Sequence, residues 1–122
     1  MEKRLQKLQK MVKTFVEERD WRKFQTAKEL AVNASVEANE LLELFLWHDG
    51  SEIDNKLMAG ADPRLLKKIK DETSDVFFSC LAIADQLGFD MEEAFLSKFA
   101  EINERYDKDI VKGDPSKKPA KD

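Results

Sequence analysis

The sequence predicts an all-α protein with four main helices in one domain. Apolar residues recur at intervals of three and four along most of the 122 residues, the spacing of one helix face. Only 4 glycines and 3 prolines are present, too few for the many turns of a sandwich or barrel. Threonine or aspartate precedes three of the periodic segments, as expected of helix N-caps. A chain of this length builds a single hydrophobic core.

The first predicted helix covers residues 2–18, and residues 19–25 connect it to the second. This connector holds Trp21 and Phe24, and aromatic side chains on a connector need an explanation. The second helix begins with the capping box Thr26-Ala-Lys-Glu29. It extends to about His48 and ends before the Asp-Gly pair at 49–50.

The remaining elements follow from caps and breakers. We expect residues 49–61 to form a loop that includes one or two helical turns. The third helix has Asp62 as N-cap and Pro63 at its first position, and it ends at Gly88. The fourth covers about 91–108, and its predicted core side is Phe95, Phe99, Ile102 and Tyr106. We expect residues 112–122 to form a mobile tail, so the domain covers residues 1–111.

The third helix is apolar nearly all round between residues 76 and 84. A helix of this kind is normally buried on every side. Four helices of one chain cannot cover it completely, so we expect a homodimer or a homotetramer.

Composition narrows the classes of function. The net charge is −4 and no basic stripe is present, so binding to a nucleic acid polymer is not expected. The longest apolar run is too short to span a bilayer. The single cysteine, Cys80, is expected to be a buried free thiol. No segment resembles a signal peptide, and we expect a cytoplasmic protein without membrane contact.

Acidic residues interrupt the apolar stripes of the second and third helices. Glu37 and Glu40 form one pair and Glu72 and Asp75 the other, each with the i, i+3 spacing that projects from one side of a helix. Clustered carboxylates are costly to bury without compensation. Oxygen ligands favour Mg²⁺, Mn²⁺ or Ca²⁺, and an all-carboxylate Mg²⁺ site commonly serves phosphate chemistry.

Other interpretations of these acidic residues remain open from spacing alone. Acidic residues on helices are usually solvated, and exposure at the stripe edge would equally explain Glu40 and Asp75. A di-iron site requires Glu-x-x-His on two helices, and the only histidine is His48. A zinc site is disfavoured because one cysteine and one histidine lie far apart.

The acidic pairs and their flanks resemble a known family. Glu37-Ala-Asn-Glu40-Leu-Leu-Glu43-Leu-Phe-Leu-Trp47, followed by Asp71-Glu72-Thr-Ser-Asp75, resembles the ExxE…ExxD signature of the MazG-like all-α nucleotide pyrophosphohydrolases. The resemblance covers roughly residues 4–112 and is strongest to the dCTP pyrophosphatase branch. It implies a four-helix MazG-like bundle completed by oligomerisation.

The resemblance also implies roles for individual residues. The family's metal ligands correspond to Glu37, Glu40, Glu72 and Asp75, with Mg²⁺ as cofactor and Mn²⁺ as a substitute. Glu40, or failing that Glu43, is the candidate general base. The nucleobase would stack between Trp21 and Trp47. The full set of candidate substrate-binding residues is Trp21, Phe24, Gln25, Lys28, Trp47, Lys98 and Asn103.

Some positions depart from the family pattern. Val36 replaces the first acidic residue of an EExxE form, Gln25 stands for a histidine near the base, and Ser79 stands for a tyrosine. The family's asparagine after the lysine falls on Ile102, with Asn103 beside it. These changes leave the metal ligands intact and bear on base and sugar selectivity.

The implied activity is hydrolysis of a nucleoside triphosphate between its α and β phosphates, in removal of excess or modified deoxynucleotides. One alternative is a pyrophosphohydrolase of the same fold that acts on phosphoribosyl-ATP or dUTP. A second is a helical interaction module that binds a cation without catalysis.

Overall fold

The structure is a computed structural model that describes residues 3–117. Its elements are α1 (Arg4–Glu18), a 3₁₀ turn (Arg22–Phe24), α2 (Ala27–Glu43), α3 (Gly50–Met58), α4 (Pro63–Leu87), α5 (Met91–Arg105), α6 (Lys108–Val111) and a second 3₁₀ turn (Pro115–Lys117). No strand occurs in this described part of the chain. The predicted all-α fold with four long helices, α1, α2, α4 and α5, is confirmed.

The long helix α4 is the centre of the bundle. Both α2 and α1 pack along it, while α5 packs on α1 and α3 touches α4. The core includes Val12 and Val16 of α1, Leu30 of α2, and Leu81 and Ala82 of α4. Burial of such side chains contributes roughly 1.5–3 kcal/mol each, so these contacts fix the position of α2 against α4.

Side-chain caps fix the starts of the helices. The Thr26 hydroxyl accepts from the Glu29 amide at 3.3 Å, and the Glu29 carboxylate accepts from the Thr26 amide at 3.2 Å. Asp62 caps α4 by accepting from the Leu65 amide at 3.0 Å. Gly88 ends α4 with a φ of 75°, a backbone conformation that glycine adopts without strain. These predictions from sequence are confirmed.

Two glutamines attach the α4–α5 turn to α1. Gln6 donates to Asp90 at 2.9 Å. Gln9 donates to the Phe89 carbonyl at 2.7 Å and accepts from the Met91 amide at 3.0 Å. The two bonds of Gln9 satisfy backbone groups at this turn, and all three bonds orient α5 relative to α1.

The predicted end of the second helix, at about His48, is wrong. Helix α2 ends at Glu43, and residues 44–47 form turns in which the Leu44 and Phe45 amides donate three residues back. The physical reason is the next helix. Asp49 is extended and accepts from the Glu52 amide at 3.0 Å as the N-cap of α3, so the chain must leave helical geometry before it.

The predicted loop over residues 49–61 is also wrong in part, because nine of them form α3. Ile53 is buried, and this contact stabilises a helix too short to form alone. The fourth predicted helix ends at Arg105 rather than 108, since Asp107 starts the separate turn of α6.

The predicted core side of the fourth helix is not covered within one chain. Phe95 is 55% and Phe99 53% exposed, and their rings stack on each other at 5.9 Å. Ile102 is exposed as well, whereas Tyr106 is half-buried. Cys80 is a free thiol, half-buried rather than buried.

The expected mobile tail and the expected absence of a membrane-spanning helix can be compared with the described residues. Residues 112–117 include a 3₁₀ turn, and residues 118–122 of the expected mobile tail lie outside the described residues, so the boundary at 111 stays a prediction. A bilayer-spanning helix is not found among residues 3–117.

Candidate metal centre

Helices α2 and α4 bring three acidic side chains together. Carboxylate oxygens of Glu37, Glu40 and Glu72 all lie within 4.8 Å of one another. Glu37 and Glu72 are half-buried, whereas Glu40 is exposed. The sequence analysis grouped four carboxylates, and the structure brings three of them within this distance but not Asp75.

The antiparallel course of the two helices explains the arrangement. Leu30, near the start of α2, shares the core with Leu81, near the end of α4. Glu37, which follows Leu30 in α2, lies beside Glu72, which precedes Leu81 in α4. Glu37 and Glu72 are therefore the central pair of the four acidic residues. Because the helices are antiparallel, Glu40 lies one turn from this pair in one direction along the bundle and Asp75 lies one turn from it in the other. Asp75 is exposed and is not part of the close triad, but its negative charge helps to raise the pKa of Glu37.

Like charges perturb the titration of the cluster. The pKa of Glu37 is raised, first by a hydrogen bond with Glu72 and then by burial. The pKa of Glu40 is raised chiefly by the negative charge of Glu37. Both shifts reflect the cost of ionising neighbouring carboxylates without a positive charge between them.

Two oxygens of the cluster have no protein partner. The Oε2 atoms of Glu37 and Glu72 are shielded from solvent and accept no hydrogen bond. Shielded carboxylate oxygens are normally satisfied, and a hard divalent cation would satisfy both. The donor set, carboxylate oxygen only, fits Mg²⁺ or Mn²⁺.

The second candidate base, Glu43, lies one turn beyond Glu40 and is exposed. Asn39 donates to its Oε1 at 3.4 Å. The sequence analysis did not single out Asn39, although its i, i+4 spacing to Glu43 is a signal for such a contact.

Trp47 stands on the turn that follows α2. Its side chain is 100% exposed and its φ is 69°, which is uncommon for a bulky residue. Trp47 borders a pocket of about 250 Å³ that also includes residues of α3 and the start of α4. An indole held open to solvent by a strained turn is available for stacking.

Trp21 lies on the connector between α1 and α2. Its ring packs edge-on against Phe15 at 5.6 Å, and 41% of the residue stays exposed. The other connector candidates differ in exposure: Phe24 is 68% exposed, Lys28 is exposed and Gln25 is half-buried.

Lys98 and Asn103 are not brought to the carboxylates by contacts of a single chain. Both are exposed on α5, which packs mainly on α1. The Lys98 ammonium pairs instead with Glu101 on its own helix at 3.3 Å.

Comparison with known proteins gives concordant findings. The model of the MazG-like family matches residues 32–118. Human dCTP pyrophosphatase 1 is 33% identical over 101 residues, which are 83% of this chain and 57% of the human protein. Mouse dCTP pyrophosphatase 1 is 28% identical over 113 residues, 93% of this chain and 65% of the mouse protein. The chain thus spans less than two thirds of the length of these mammalian relatives.

A solved structure agrees at the level of the fold. The crystal structure of a pyrophosphatase from Archaeoglobus fulgidus superposes with a TM-score of 0.74 at 27% sequence identity, covering 88% of this chain and 95% of that one. Nearly the whole archaeal chain therefore has a counterpart here.

Proposed function

This chain belongs to the MazG-like family, and we propose that it is a Mg²⁺-dependent nucleoside triphosphate pyrophosphohydrolase. The proposed reaction converts a nucleotide such as dCTP into its monophosphate and pyrophosphate. The observation that carries the proposal is the pair of shielded, unpartnered oxygens of Glu37 and Glu72. Similarity to the mammalian dCTP pyrophosphatases supports a dCTP-like substrate.

Glu37, Glu40, Glu72 and Asp75 would hold the cation. Bound Mg²⁺, or Mn²⁺ in its place, would neutralise phosphate charge and acidify a coordinated water. Glu37 and Glu72 would contribute the oxygens that are shielded from solvent, and the exposed Glu40 and Asp75 would contribute further oxygens. The cation would thus be held by residues of both α2 and α4.

Glu40 is our choice of general base, a role in which its carboxylate would act on water instead of serving as a metal ligand. Its carboxylate is exposed at the cluster, so a water molecule can reach it. It would take a proton from the water whose oxygen attacks the α phosphorus. The bond from that phosphorus to the α–β bridging oxygen breaks, and pyrophosphate leaves with the electron pair. Glu43, held by Asn39, is the second choice.

The aromatic residues would bind the base. We propose that the exposed faces of Trp21 and Trp47 stack on it, since stacking tolerates any base and is worth about 1–3 kcal/mol. Phe24, Gln25 and Lys28 belong to the same connector and the start of α2, and are proposed to set base and sugar preference. Lys98 and Asn103 are proposed to contact the phosphates and sugar.

A homodimer or homotetramer is part of the proposal. One chain leaves Phe95 and Phe99 of α5 exposed, as well as an apolar groove of about 310 Å³ between α1 and α4. Met11 and Phe77 in that groove are 65% and 44% exposed. Apolar patches of this kind commonly mark interfaces.

The proposed role is removal of excess or modified deoxynucleotides in the cytoplasm. Pyrophosphate release from dCTP, dUTP, 5-substituted dCTP, ribonucleotides and phosphoribosyl-ATP, with and without Mg²⁺, tests it. The proposal predicts Mg²⁺-dependent release that is fastest with a cytosine deoxynucleotide. Preference for dUTP or phosphoribosyl-ATP would favour the alternative enzymes, and no release from any compound would favour the non-catalytic module.

A further inference from the structure

One largely buried ion pair attaches the connector to the end of α4. The Arg22 Nη2 donates to the Asp85 Oδ2 at 2.7 Å, and the Asp85 side chain is only 7% exposed. Arg22 Nη1 also donates to the Gln86 Oε1 at 3.3 Å, and Glu17 of α1 lies at 3.7 Å. A single guanidinium therefore joins α1, the connector and α4.

Arg22 is the immediate neighbour of Trp21. The Trp21 amide donates to the Val16 carbonyl at 3.1 Å, which fixes its backbone at the end of α1. The indole packs edge-on against Phe15, and Phe15 in turn packs edge-on against Phe78 of α4 at 5.7 Å. Arg22 adds side-chain hydrogen bonds that attach this segment to the end of α4.

We propose that Arg22 is a positioning residue for the nucleobase: by pairing with Asp85, it holds the connector so that the face of Trp21 is set for stacking. This inference rests on the proposed function. Helix α4 carries both Glu72 and Asp85, so one rigid element would position part of the carboxylate cluster and, through Arg22, the base-binding ring.

The physical consequence is preorganisation. If the connector became ordered only when the nucleotide binds, the entropy lost in that ordering would reduce the affinity of the protein for the nucleotide. Arg22 would reduce this loss. Its partner Asp85 follows Glu72 by thirteen residues on α4, about 20 Å along the helix axis, so Arg22 would act on the base without acting on the acidic cluster. Its guanidinium fork makes two directed bonds, which a lysine cannot reproduce.

Kinetics of Arg22→Met and Arg22→Lys test the inference. We expect KM for dCTP to rise at least about fivefold in Arg22→Met, a loss at the lower end of the stacking range, with a smaller rise in Arg22→Lys. Both kcat and the inhibition constant of inorganic tripolyphosphate should stay within about twofold, because they do not involve the base. Lys23→Met, which removes an exposed ion pair with Asp20 in the same connector, should change none of these constants.

A double-mutant cycle identifies Trp21 as the residue through which Arg22 acts. In a Trp21→Ala background, Arg22→Met should raise KM for dCTP by less than about twofold, since coupled residues are not additive. Additive effects of the two substitutions would overturn the inference. An equal loss of tripolyphosphate and dCTP binding would do so too, because Arg22 would then act on the fold.

Fluorescence provides a readout that does not require activity. The chain has two tryptophans, so in Trp47→Phe the tryptophan fluorescence comes from Trp21 alone. Arg22→Met in that background should shift the emission to longer wavelength and increase quenching by iodide. Arg22→Lys should show the same changes at smaller size. The lysine keeps a positive charge beside Asp85, so this variant is expected to fold. Unchanged emission in both variants would contradict the inference. If no nucleotide released pyrophosphate, the proposed function would be contradicted. The fluorescence measurement would still decide whether Arg22 positions Trp21.

Discussion

Two shielded carboxylate oxygens that belong to adjacent side chains of like charge distinguish the acidic cluster from ordinary charged positions on helices. One oxygen of Glu92 is also shielded, but Glu92 pairs with Lys3. A solvated Glu has water at both oxygens, but Glu37 and Glu72 each keep one oxygen away from solvent. Their proximity raises the pKa of Glu37. This arrangement disfavours the metal-free ionised state and favours a bound cation.

Glu72→Gln should remove activity and keep the helical fold. Glutamine has the shape of glutamate but lacks the charge, so the cation site loses a ligand. We expect at least about a 10²-fold fall in kcat, typical of removing one strong electrostatic contributor. The neighbouring Asp71→Asn is a matched control, because Asp71 is exposed and paired with Lys67 at 2.8 Å. Activity of Glu72→Gln close to that of Asp71→Asn would exclude Glu72 from the site.

Trp47→Ala should weaken nucleotide binding and spare pyrophosphate binding. Loss of one stacking partner corresponds to about 1–3 kcal/mol, so the Kd for dCTP should rise about 5- to 150-fold by calorimetry. Met58→Ala, which removes another strongly exposed apolar side chain, serves as control. A parallel loss of pyrophosphate affinity would show that the turn or the metal site had been disturbed.

The sequence was informative for residues whose signal is local. The acidic pairs interrupt apolar stripes, so the cluster of Glu37, Glu40 and Glu72 could be predicted. Arg22 and Gln9 could not, because their partners lie more than sixty positions away in the chain. A polar side chain on a surface helix looks the same whether its partner is solvent or a distant turn.

The pairing of α2 with α4 determines which carboxylates meet. Their antiparallel course places Glu37 opposite Glu72 and separates Glu40 from Asp75. Existence and order of the four long helices followed from periodicity and caps. The end of α2 did not, since Leu44 and Phe45 continue the apolar pattern through a turn that the start of α3 imposes. The face of α5 was also misjudged, because periodicity identifies an apolar side without saying whether its cover is this chain or another.

Asp75→Asn should have opposite effects with and without metal. In the metal-free protein it removes a like charge near Glu37, so thermal unfolding should show equal or higher stability. With Mg²⁺ the same substitution removes a proposed ligand, so the stabilisation by the cation should shrink. A destabilised metal-free variant would indicate instead that Asp75 takes part in a structural ion pair.

The folded chain should be stabilised by Mg²⁺, and increasingly so as pH rises. The pKa values of Glu37 and Glu40 are raised from the ordinary 4.5 in the folded state. The folded state therefore binds more protons than the unfolded state in this pH range. As a result, the free energy of unfolding of the metal-free protein decreases as pH rises through the raised pKa values. The cation binds the deprotonated form and cancels that loss. At about 100 times its Kd, Mg²⁺ should contribute about 2.7 kcal/mol, or roughly 10 °C in Tm for a chain of this size.

Calorimetry at a low and a neutral pH measures this dependence. The increment in Tm from Mg²⁺ should be larger near neutral pH than near the ordinary carboxyl pKa, and Glu72→Gln should reduce it at neutral pH. An increment that is absent, or the same at both pH values, would contradict a carboxylate metal site.

The position of bond cleavage tests the central claim most directly. The protein is incubated with dCTP and Mg²⁺ in water enriched in oxygen-18, and the products of dCTP hydrolysis are analysed by phosphorus NMR and mass spectrometry. Attack at the α phosphorus predicts dCMP that carries the label, unlabelled pyrophosphate, and no reaction when Mg²⁺ is chelated. Label in the pyrophosphate, or formation of dCDP and orthophosphate, would contradict the account.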